Sequence, residues 1–386
     1  MALNDPTSSR TDSPGVLHLV PEARGGICRH VADLCRRLSE AGWRCRIAGP
    51  RGSLTRIADF GSPREITMIS LPRWGLRGVS LLTDAVEIRR FVSSSEILHA
   101  HGYRAGLTAA FSGIPGVVIT AHNLPPRPAL PLVRLALNRA DAVTAVSTAV
   151  ADALVNAGVA AGRIRVIPNG IELSPLPSAE ERSAARAPLR ALLPAFPEGP
   201  ILLFVGRLSI EKGIDTLIGA FDDLAKSKPD LGLVIVGESP VEVDFQRLVP
   251  PRLQGRMVFA GQRKDAPSLM AGADVVVIPS RLEGQSIVAL EALACGTRVV
   301  ASNAGGLPEM IRPGETGWPA RPGDSDDLAR AIKEALDAPA DRFSAAGRTL
   351  IAQKFDAASS FRKTLETYEA IGARTEDEGR KMNDEG

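Results

Sequence analysis

The feature that most constrains this chain is an alternation of short β-branched runs with longer helical patterns, which occurs twice. The first series of runs is VLHLV, CRIAG, ITMIS, EILHAH, GVVITAH, AVTAVS and IRVIPNG, and the second is ILLFVG, GLVIVG, MVFAG, DVVVIPS and TRVVAS. Because parallel strands need long crossover connections, this order predicts two doubly wound parallel sheets. The expected fold class is α/β, with two Rossmann-like domains whose carboxyl strand edges face a cleft that binds the ligand.

The predicted domains follow from changes in composition along the chain. The N-terminal domain is expected to span 1–172, and the C-terminal domain 173–355, beginning with a connection rich in Pro, Ala and charged residues. A terminal helix over 356–372 is expected to pack back on the N-terminal domain. Residues 1–14 and 373–386 are polar or charged, which predicts disordered tails.

The composition predicts a protein that works in the cytoplasm. No run reaches the roughly 18 unbroken apolar residues of a membrane helix, and the polar N-terminus has no apolar core of a secretory signal. The four cysteines (Cys28, Cys35, Cys45 and Cys295) form no CxxC pair and no zinc spacing. Cys28 and Cys35 lie seven positions apart on one predicted helix, which suits reduced, packed thiols in a reducing compartment.

The net charge of +2 conceals an asymmetry between the two halves. Residues 1–170 hold 20 Arg and no Lys against 12 acidic residues, a charge of +8, so the remainder carries −6. A basic half suits an acidic surface or substrate, although such asymmetries are also found without any function.

Two glycines and two cations follow predicted strands. Gly25 and Gly26 precede a helix opening near Ile27, where glycines let an anion approach free backbone N–H groups; a plain turn explains them equally well. Arg207 and Lys212 flank a later strand-to-helix turn, and two cations there suit a diphosphate, although both could be solvated loop residues.

Two nucleotide-binding fingerprints are excluded by the same segments. No GxGxxG motif follows the first strand, so the dinucleotide fingerprint is absent. Glu211 stands where a P-loop needs glycine before its lysine, and neither Ser nor Thr follows Lys212.

The segment PSRLEGQSIVALEALACGTRVVAS carries two carboxylates in otherwise apolar surroundings. From Ile287 to Cys295 the pattern predicts a helix, and a helix this apolar should be buried. Buried carboxylates are costly unless something binds them, and Glu283 and Glu291 would lie roughly 12 Å apart along a helix axis. That spacing suits a ligand with two hydroxyl-rich ends; the alternative is that both carboxylates are exposed helix ends.

All five histidines fall in the first half of the chain. His99 and His101 share a strand face, so a metal site is conceivable, but no carboxylate or cysteine cluster supports it. His18, within a strand, and His30, on a helix, are expected to be structural. His122 ends a strand and is the better candidate for contact with a sugar hydroxyl or a phosphate, unless it is a satisfied strand-end residue.

Asp324 and Asp326 form a DxD, a pattern that holds a metal–diphosphate in some sugar transferases. It directly precedes an amphipathic helix, so helix capping explains it fully. We therefore expect no metal and no cofactor at the site.

Together these motifs resemble the GT-B glycosyltransferases, in particular the large retaining family 4 (glycosyl transferases group 1). The matching segments are RGG before the first helix, VIPNGIE at the domain boundary, VGRLSIEKGIDTLIGAF, and ADVVVIPSRLEGQSIVALEALACGTRVVASNAGGLPEMIRPGETGW. They cover both domains, and the last is the most specific.

The resemblance implies a role for each carboxylate and cation. In the E-x7-E pair, Glu283 would contact the transferred sugar and Glu291 the ribose hydroxyls, since carboxylates accept two bonds from vicinal diols. Arg207 and Lys212 would hold the diphosphate, with Gly25 and Gly26 near the same phosphates.

Further residues are implied by the same resemblance. The backbone around Gln285, Ser286 and Ile287 would line the sugar and phosphate pocket, although many members read Glu-Gly-Phe-Gly here. Gly261 and Arg263 lie where the family binds the base. His101 and His122 are acceptor-side candidates, and His122 joins Glu283, Arg207 and Lys212 among the candidate catalytic residues.

The implied function is a retaining, metal-independent glycosyltransferase that moves a sugar from a nucleotide-diphosphate sugar, expected to be a UDP-sugar. The acceptor would be a glycan or a lipid-linked molecule in the synthesis of cell-surface polysaccharide or glycolipid, and no nucleic-acid partner is expected. Two alternatives stay open: a sucrose/trehalose-type synthase or phosphorylase on the same scaffold, and a non-catalytic nucleotide-sugar binder.

Arginines beside apolar residues in the first half predict peripheral binding to the inner face of the plasma membrane, where each contributes about 1 kcal/mol near anionic lipid. The alternative is that they only solubilise the protein. The residues concerned are Arg73, Trp74, Leu76, Arg77, Arg127, Arg134 and Arg139.

Overall fold

A computed structural model describes residues 14–23, 25–61, 66–71, 80–93, 96–126, 130–193, 199–239, 244–339 and 341–384. The chain divides into two compact units. The first unit comprises Met1–Ala145, Leu154–Arg165 and Lys363–Gly386, and the second comprises Val146–Ala153 and Val166–Arg362. The chain therefore passes between the units more than once, and its last segment, Lys363–Gly386, belongs to the first unit.

The first unit is built on a seven-stranded sheet in the order β3-β2-β1-β4-β5-β6-β7. Its strands are β1 (Gly15–Leu19), β2 (Arg44–Gly49), β3 (Thr67–Ser70), β4 (Glu96–His101), β5 (Val117–Ala121), β6 (Ala142–Ala145) and β7 (Ile164–Val166). The helices between them are α1 (Gly26–Glu40), α2 (Arg51–Asp59), α3 (Ser80–Ile88), α4 (Tyr103–Phe111), α5 (Leu130–Arg139) and α6 (Thr148–Asn156). The pairings from β3 to β6 are parallel.

The centre of this sheet is the β1–β4 pair, where the strand order changes direction. Gly15 pairs with Glu96 and His18 with His99 in a parallel register. Every residue of both strands is buried, because helices cover both faces of a doubly wound sheet. Ligands of such sheets bind outside the carboxyl ends of the strands at this point.

The second unit has a six-stranded sheet in the order β10-β9-β8-β11-β12-β13, with parallel pairing throughout. Its strands are β8 (Ile201–Val205), β9 (Gly232–Val236), β10 (Met257–Phe259), β11 (Val275–Ile278), β12 (Arg298–Ser302) and β13 (Trp318–Ala320). Its helices are α7 (Ala179–Leu192), α8 (Ile214–Ser227), α9 (Ala266–Gly272), α10 (Ile287–Ala294), α11 (Ser325–Asp337) and α12 (Asp341–Lys354). The strand order reverses between β8 and β11.

The prediction of two doubly wound parallel sheets is confirmed, and one strand is added to it. Strand β13 was not predicted because Pro319 stands at its centre, and proline argues against a strand. It lies at the edge of its sheet, where proline is tolerated since one side of the strand needs no ladder partner.

Helix capping accounts for the DxD segment, as predicted. The Asp324 carboxylate accepts a hydrogen bond from the backbone N–H of Asp327 at 2.9 Å, which makes Asp324 the N-cap of α11. At the other end of the unit, Ser178 and Glu181 form a complete capping box at the start of α7.

The last helix, α13 (Ala357–Asp384), extends beyond the predicted end at residue 372. Residues 373–384, predicted as part of a disordered tail, continue the helix. The reason is local: this stretch consists mostly of residues with good helix propensity and contains no proline. Tyr368 is fully buried in the first unit and bonds Nδ1 of His99 through its hydroxyl at 2.5 Å.

Candidate active site

The loops that follow β8 and β11 meet at the carboxyl edge of the second sheet, at its switch point. Lys212 ends a short 3-10 helix after β8, and its Nζ donates a hydrogen bond to Oε2 of Glu283, in the loop after β11, at 2.7 Å. Ser280 Oγ donates to the same carboxylate oxygen at 3.1 Å. The side chain of Glu283 is 7% exposed and that of Lys212 27%, so the pair is sheltered and still reachable from one side.

Two contacts hold these loops together. Gly213 has φ +72°, and a Cβ there would lie 2.0 Å from the carbonyl oxygen of Pro279, so only glycine lets the loops approach this closely. Arg281 grips both carboxylate oxygens of Asp215 at 2.6 and 2.8 Å. The close backbone approach at Gly213 and the bidentate Arg281–Asp215 ion pair therefore fix the position of Lys212 against Glu283.

A third loop packs against Glu283, and sequence reasoning missed its role. A Cβ on Gly305, which has φ +54°, would lie 1.7 Å from the carbonyl oxygen of Glu283. The N–H of Gly306 donates to that oxygen at 3.2 Å. The paired glycines in NAGGLPE were the available signal, since adjacent glycines mark a close backbone approach.

The side chains of Gln285 and Ser286 are engaged within the protein. Oε1 of Gln285 accepts the backbone N–H of Asn169 at 2.6 Å, and its Nε2 donates to the Asn169 carbonyl at 3.4 Å. Ser286 Oγ accepts the N–H of Ala289 at 3.2 Å and caps α10. Ile287 is the first residue of α10, whose first-turn N–H groups have no partner within the helix.

Glu291 lies on α10 and is buried, whereas Glu283 lies in the loop before the helix. The predicted helix from Ile287 is confirmed, but the spacing of roughly 12 Å along one axis does not apply, because only one of the two carboxylates is helical. Burial of both excludes the alternative that they are exposed helix ends.

The other predicted cations form ion pairs of their own. The side chain of Arg207 is 51% exposed and bonds Glu211 Oε2 at 2.8 Å, as an i,i+4 surface ion pair. Arg263 grips both oxygens of Asp265 at 2.8 and 2.6 Å. Gly261, in the same loop, accepts the N–H of Gly237 at 2.8 Å.

In the first unit, Gly25 and Gly26 lie at the start of α1, after β1. Gly25 occupies the N-cap position with φ 58° and ψ −120°, and a Cβ there would meet no atom within 4 Å. Both glycines are exposed, so the backbone at this helix start is open to a ligand.

The five histidines form one cluster in the first unit. His18 and His30, which were expected to be structural, are part of it, and the sequence did not predict that. Nδ1 of His18 lies 3.0 Å from Nε2 of His101, and Nδ1 of His101 lies 3.1 Å from Nε2 of His122. His30 packs edge-on against His101 and His122, and the rings of His99 and His101 are 4.2 Å apart. Three imidazoles thus form a hydrogen-bonded row.

Burial favours the neutral form of four of these histidines. It lowers the pKa of His99, His101 and His122 well below the usual range and that of His30 to about 4. A neutral imidazole has one donor and one acceptor nitrogen, so the row is satisfied only if its rings adopt matching tautomers.

Ring nitrogens also converge closely enough for metal binding. The group of His18, His99 and His101, and the group of His30, His101 and His122, each bring three ligand atoms within 4.8 Å of one another. In the row, however, the nitrogens of His101 are already bonded to those of His18 and His122.

The residues that predict membrane binding are mostly outside the described part of the chain. The structure does not describe Arg73, Trp74, Leu76, Arg77 or Arg127. Arg134 and Arg139 are on α5, and the guanidinium of Arg139 lies 5.4 Å from the ring centre of Phe111. Among the described helices, none has the length and apolar character needed to cross a bilayer.

Comparison with known proteins matches both halves of the chain. The family model for glycosyl transferases group 1 matches residues 187–349, and that for Glycosyltransferase Family 4 matches residues 24–175. The chain is 29% identical over 393 residues to alpha-maltose-1-phosphate synthase from Mycolicibacterium smegmatis, covering 92% of this chain and 97% of that protein. It is 32% identical over 248 residues to 2-deoxystreptamine glucosyltransferase from Streptomyces kanamyceticus, covering 62% of each.

Solved glycosyltransferase structures superpose on nearly the whole chain. Sucrose-phosphate synthase from Thermosynechococcus elongatus superposes with a TM-score of 0.76 at 26% identity, over 93% of this chain and 100% of that one. Anabaena Alr3699/HepE in complex with UDP-glucose superposes with a TM-score of 0.76 at 24% identity, over 92% of this chain and 100% of that one. With a family model matched in each half and the fold of GT-B glycosyltransferases, the chain resembles the glycosyl transferases group 1.

Proposed function

We propose that this chain is a retaining glycosyltransferase that transfers a sugar from a UDP-sugar without a divalent metal. The observation that carries the proposal is the Lys212–Glu283 pair, 2.7 Å apart beside the N-terminus of α10. It sets a cation, a buried carboxylate and open backbone N–H groups at the switch point of one sheet, as a diphosphate joined to a sugar requires.

Each group has a separate task in the proposed reaction. Lys212 and Arg207 bind the diphosphate, and the first-turn N–H groups of α10 stabilise the charge that develops as it departs. Glu283 accepts hydrogen bonds from the hydroxyls of the transferred sugar, and Glu291 from those of the ribose. Arg207 reaches a phosphate by exchanging its exposed partner Glu211, which costs little because surface ion pairs are weak.

Retention and metal independence are proposed from the way the diphosphate could be held and could accept a proton. In the proposed step the acceptor hydroxyl attacks on the face from which the diphosphate leaves, and a phosphate oxygen receives its proton. The cations and helix N–H groups supply the charge stabilisation that a metal gives other transferases. The DxD segment is not needed, since Asp324 serves as a helix cap.

The nucleotide and the acceptor are proposed on different grounds. UDP is favoured because the neighbour Alr3699/HepE is described in complex with UDP-glucose. A glycan or lipid-linked acceptor, met by a peripheral enzyme at the inner membrane face, is supported by the charge of +8 on residues 1–170. His122, which follows β5 and is 7% exposed, is the proposed acceptor-side contact, whereas His101 is fully buried with both ring nitrogens bonded within the protein.

A second candidate is a synthase that acts on a small phosphorylated sugar. Two of the compared proteins are named alpha-maltose-1-phosphate synthase and sucrose-phosphate synthase, and the same basic half suits a phosphorylated acceptor. The site described above would serve either reaction. A non-catalytic sugar-nucleotide binder is the least supported, since it has no need of the buried Glu283 beside Lys212.

The test is mass spectrometry of the purified chain with a panel of nucleotide sugars, offered lipid extract in one arm and sugar phosphates in the other. Transfer to lipid supports the first candidate and transfer to a sugar phosphate the second. Binding without turnover in any arm contradicts both.

Vesicle co-sedimentation tests membrane association separately. Binding to anionic vesicles that is lost at high salt, and reduced by Arg73→Glu/Arg77→Glu, supports membrane association, whereas no binding at low salt excludes it.

A further inference from the structure

Two cysteines and a histidine converge in the interior of the first unit. Cys35 lies on α1, Cys45 on β2 and His18 on β1, and one ligand atom from each lies within 4.8 Å of the other two. All three residues are buried, at 0%, 7% and 0% exposure. In a tetrahedral zinc site such atoms are about 3.4 to 3.8 Å apart, so a small contraction would complete the geometry.

Within this group, one nitrogen of the His18 imidazole lacks a hydrogen-bond partner. Nδ1 is bonded to Nε2 of His101 at 3.0 Å, whereas Nε2 is buried and has no hydrogen-bond partner among the described residues. A buried polar atom without a partner is destabilising, so it calls for an explanation. Metal-binding histidines have this arrangement, with one nitrogen on the metal and the other held by a neighbouring group.

We infer that His18, Cys35 and Cys45 form a binding site for a thiophilic cation, Zn²⁺ or Cu⁺. Thiolate and imidazole are the ligands that these ions select, and the group offers no carboxylate oxygen to a harder ion. Three protein ligands are enough for Cu⁺, and Zn²⁺ would need a fourth ligand.

A further buried cysteine, on the same helix as Cys35, provides a control for this site. Cys28, two helical turns earlier on α1, has a pKa raised to about 11 by burial and belongs to no such group, which makes it a matched control.

A bound cation would also orient the histidine row. With Nε2 of His18 on the metal, its Nδ1 carries the proton and donates it to His101. His101 then donates from Nδ1 to Nε2 of His122, because both rings are neutral. The remaining proton of His122 is thereby placed on Nδ1, so the cation fixes the tautomer of a proposed acceptor-side residue.

Metal content tests the site directly, independently of transfer activity. The full chain is purified in reducing buffer, equilibrated with Zn²⁺, freed of excess metal and measured by inductively coupled plasma mass spectrometry. One zinc per chain is expected for the wild type and for Cys28→Ser, and binding weaker by more than about tenfold for Cys35→Ser and Cys45→Ser. Parallel samples with Cu⁺ under anaerobic conditions decide which cation the site prefers.

Cobalt absorption identifies the ligands. Co²⁺ should give thiolate-to-cobalt charge-transfer absorption in the wild type and in Cys28→Ser, and none in the Cys35→Ser/Cys45→Ser variant. A wild-type chain that retains neither zinc nor copper, or that binds Co²⁺ without this absorption, overturns the inference.

A measurement on the wild type alone covers the case in which the variants do not fold. Zn²⁺ should slow alkylation of Cys35 and Cys45 in the native chain while leaving that of the half-buried Cys295 unchanged. Equal alkylation rates with and without Zn²⁺ overturn the inference, as does recovery of Cys35 and Cys45 joined in a disulfide from freshly lysed cells.

Discussion

Nζ of Lys212 lies 2.7 Å from Oε2 of Glu283, although the two residues are 71 positions apart in the chain. Before any donor binds, the cation compensates the buried carboxylate, since an unpaired charge there would be costly. Ser280 also donates a hydrogen bond to Glu283. If Lys212 binds the diphosphate as proposed, donor binding and the stability of the site are coupled through one ammonium group.

Replacing either proposed phosphate ligand should weaken donor binding. Lys212→Ala and Arg207→Ala are each expected to cost about 1.5–3 kcal/mol for UDP and UDP-sugars in calorimetry, the scale of a charge-assisted hydrogen bond. Lys212→Ala should in addition lower the free energy of unfolding, because it leaves Glu283 buried without its cation. Lys226→Ala, at a 63% exposed side chain, is the control. Wild-type affinity in both variants would exclude the diphosphate assignment.

The two carboxylates should separate sugar binding from nucleotide binding. Glu291→Gln is expected to weaken binding of free UDP as well as of the UDP-sugar, because it removes contacts to the ribose. Glu283→Gln should leave UDP binding nearly intact while turnover collapses. Calorimetry with UDP and turnover with the UDP-sugar measure the two effects, and the opposite pattern would reverse the assignment of the two roles.

Gln285 should prove to be a structural clamp rather than a selector of the donor sugar. Its amide satisfies both backbone groups of Asn169, so Gln285→Ala is expected to lower the free energy of unfolding by about 1–3 kcal/mol. The ranking of donor sugars should stay unchanged. Urea unfolding and a donor panel measure the two quantities, and a changed ranking at unchanged stability would refute the clamp.

Transfer should not depend on Mg²⁺ or Mn²⁺. Lys212 and the N-terminus of α10 lie at the proposed diphosphate position, and the DxD carboxylate of Asp324 is bound to a backbone N–H. Initial rates with EDTA, and after Mg²⁺ is restored, are therefore expected to agree within error. A strict requirement for either ion in the chemical step would contradict the proposed role of Lys212. The expectation concerns donor chemistry only, and not the buried cysteine site.

The Arg46–Glu96 pair should make stability fall in acid. Burial alone would raise the pKa of Glu96, but hydrogen bonds from Arg46 and Ser93 outweigh it and hold the pKa below the ordinary value. The pair thus stabilises the fold above the unfolded pKa of about 4.3, and this contribution is lost as the pH falls through the folded pKa. Glu96→Gln should cost about 1–3 kcal/mol at pH 7.

Urea unfolding at pH 7 and in acid checks that sign. The difference between the wild type and Glu96→Gln should shrink as the pH falls below the unfolded pKa. Glu40→Gln, in an exposed pair with Arg36, should change stability little at either pH. A difference at Glu96 that stays constant with pH would mean that the carboxylate charge is not responsible.

The sequence alone determined the elements and the chemistry of the donor site. Strand and helix periods are local properties, so the order of β1 to β12 and the helix from Ile287 could be predicted from neighbouring residues. The spacing of Glu283 and Glu291 and the cations after β8 are likewise read from one or two segments. Among the described strands only β13 was missed, because Pro319 at its centre argues against a strand.

The tertiary structure decided which of these residues meet. Lys212 reaches Glu283, Gln285 is held by Asn169 across 116 positions, and His18 bonds His101 across 83. Such contacts depend on which strands are neighbours in the sheet and on glycines that let loops approach, and neither leaves a periodic trace in the sequence. For that reason the sequence could name the carboxylates and cations of this site, while only the packed sheets could show which of them are paired.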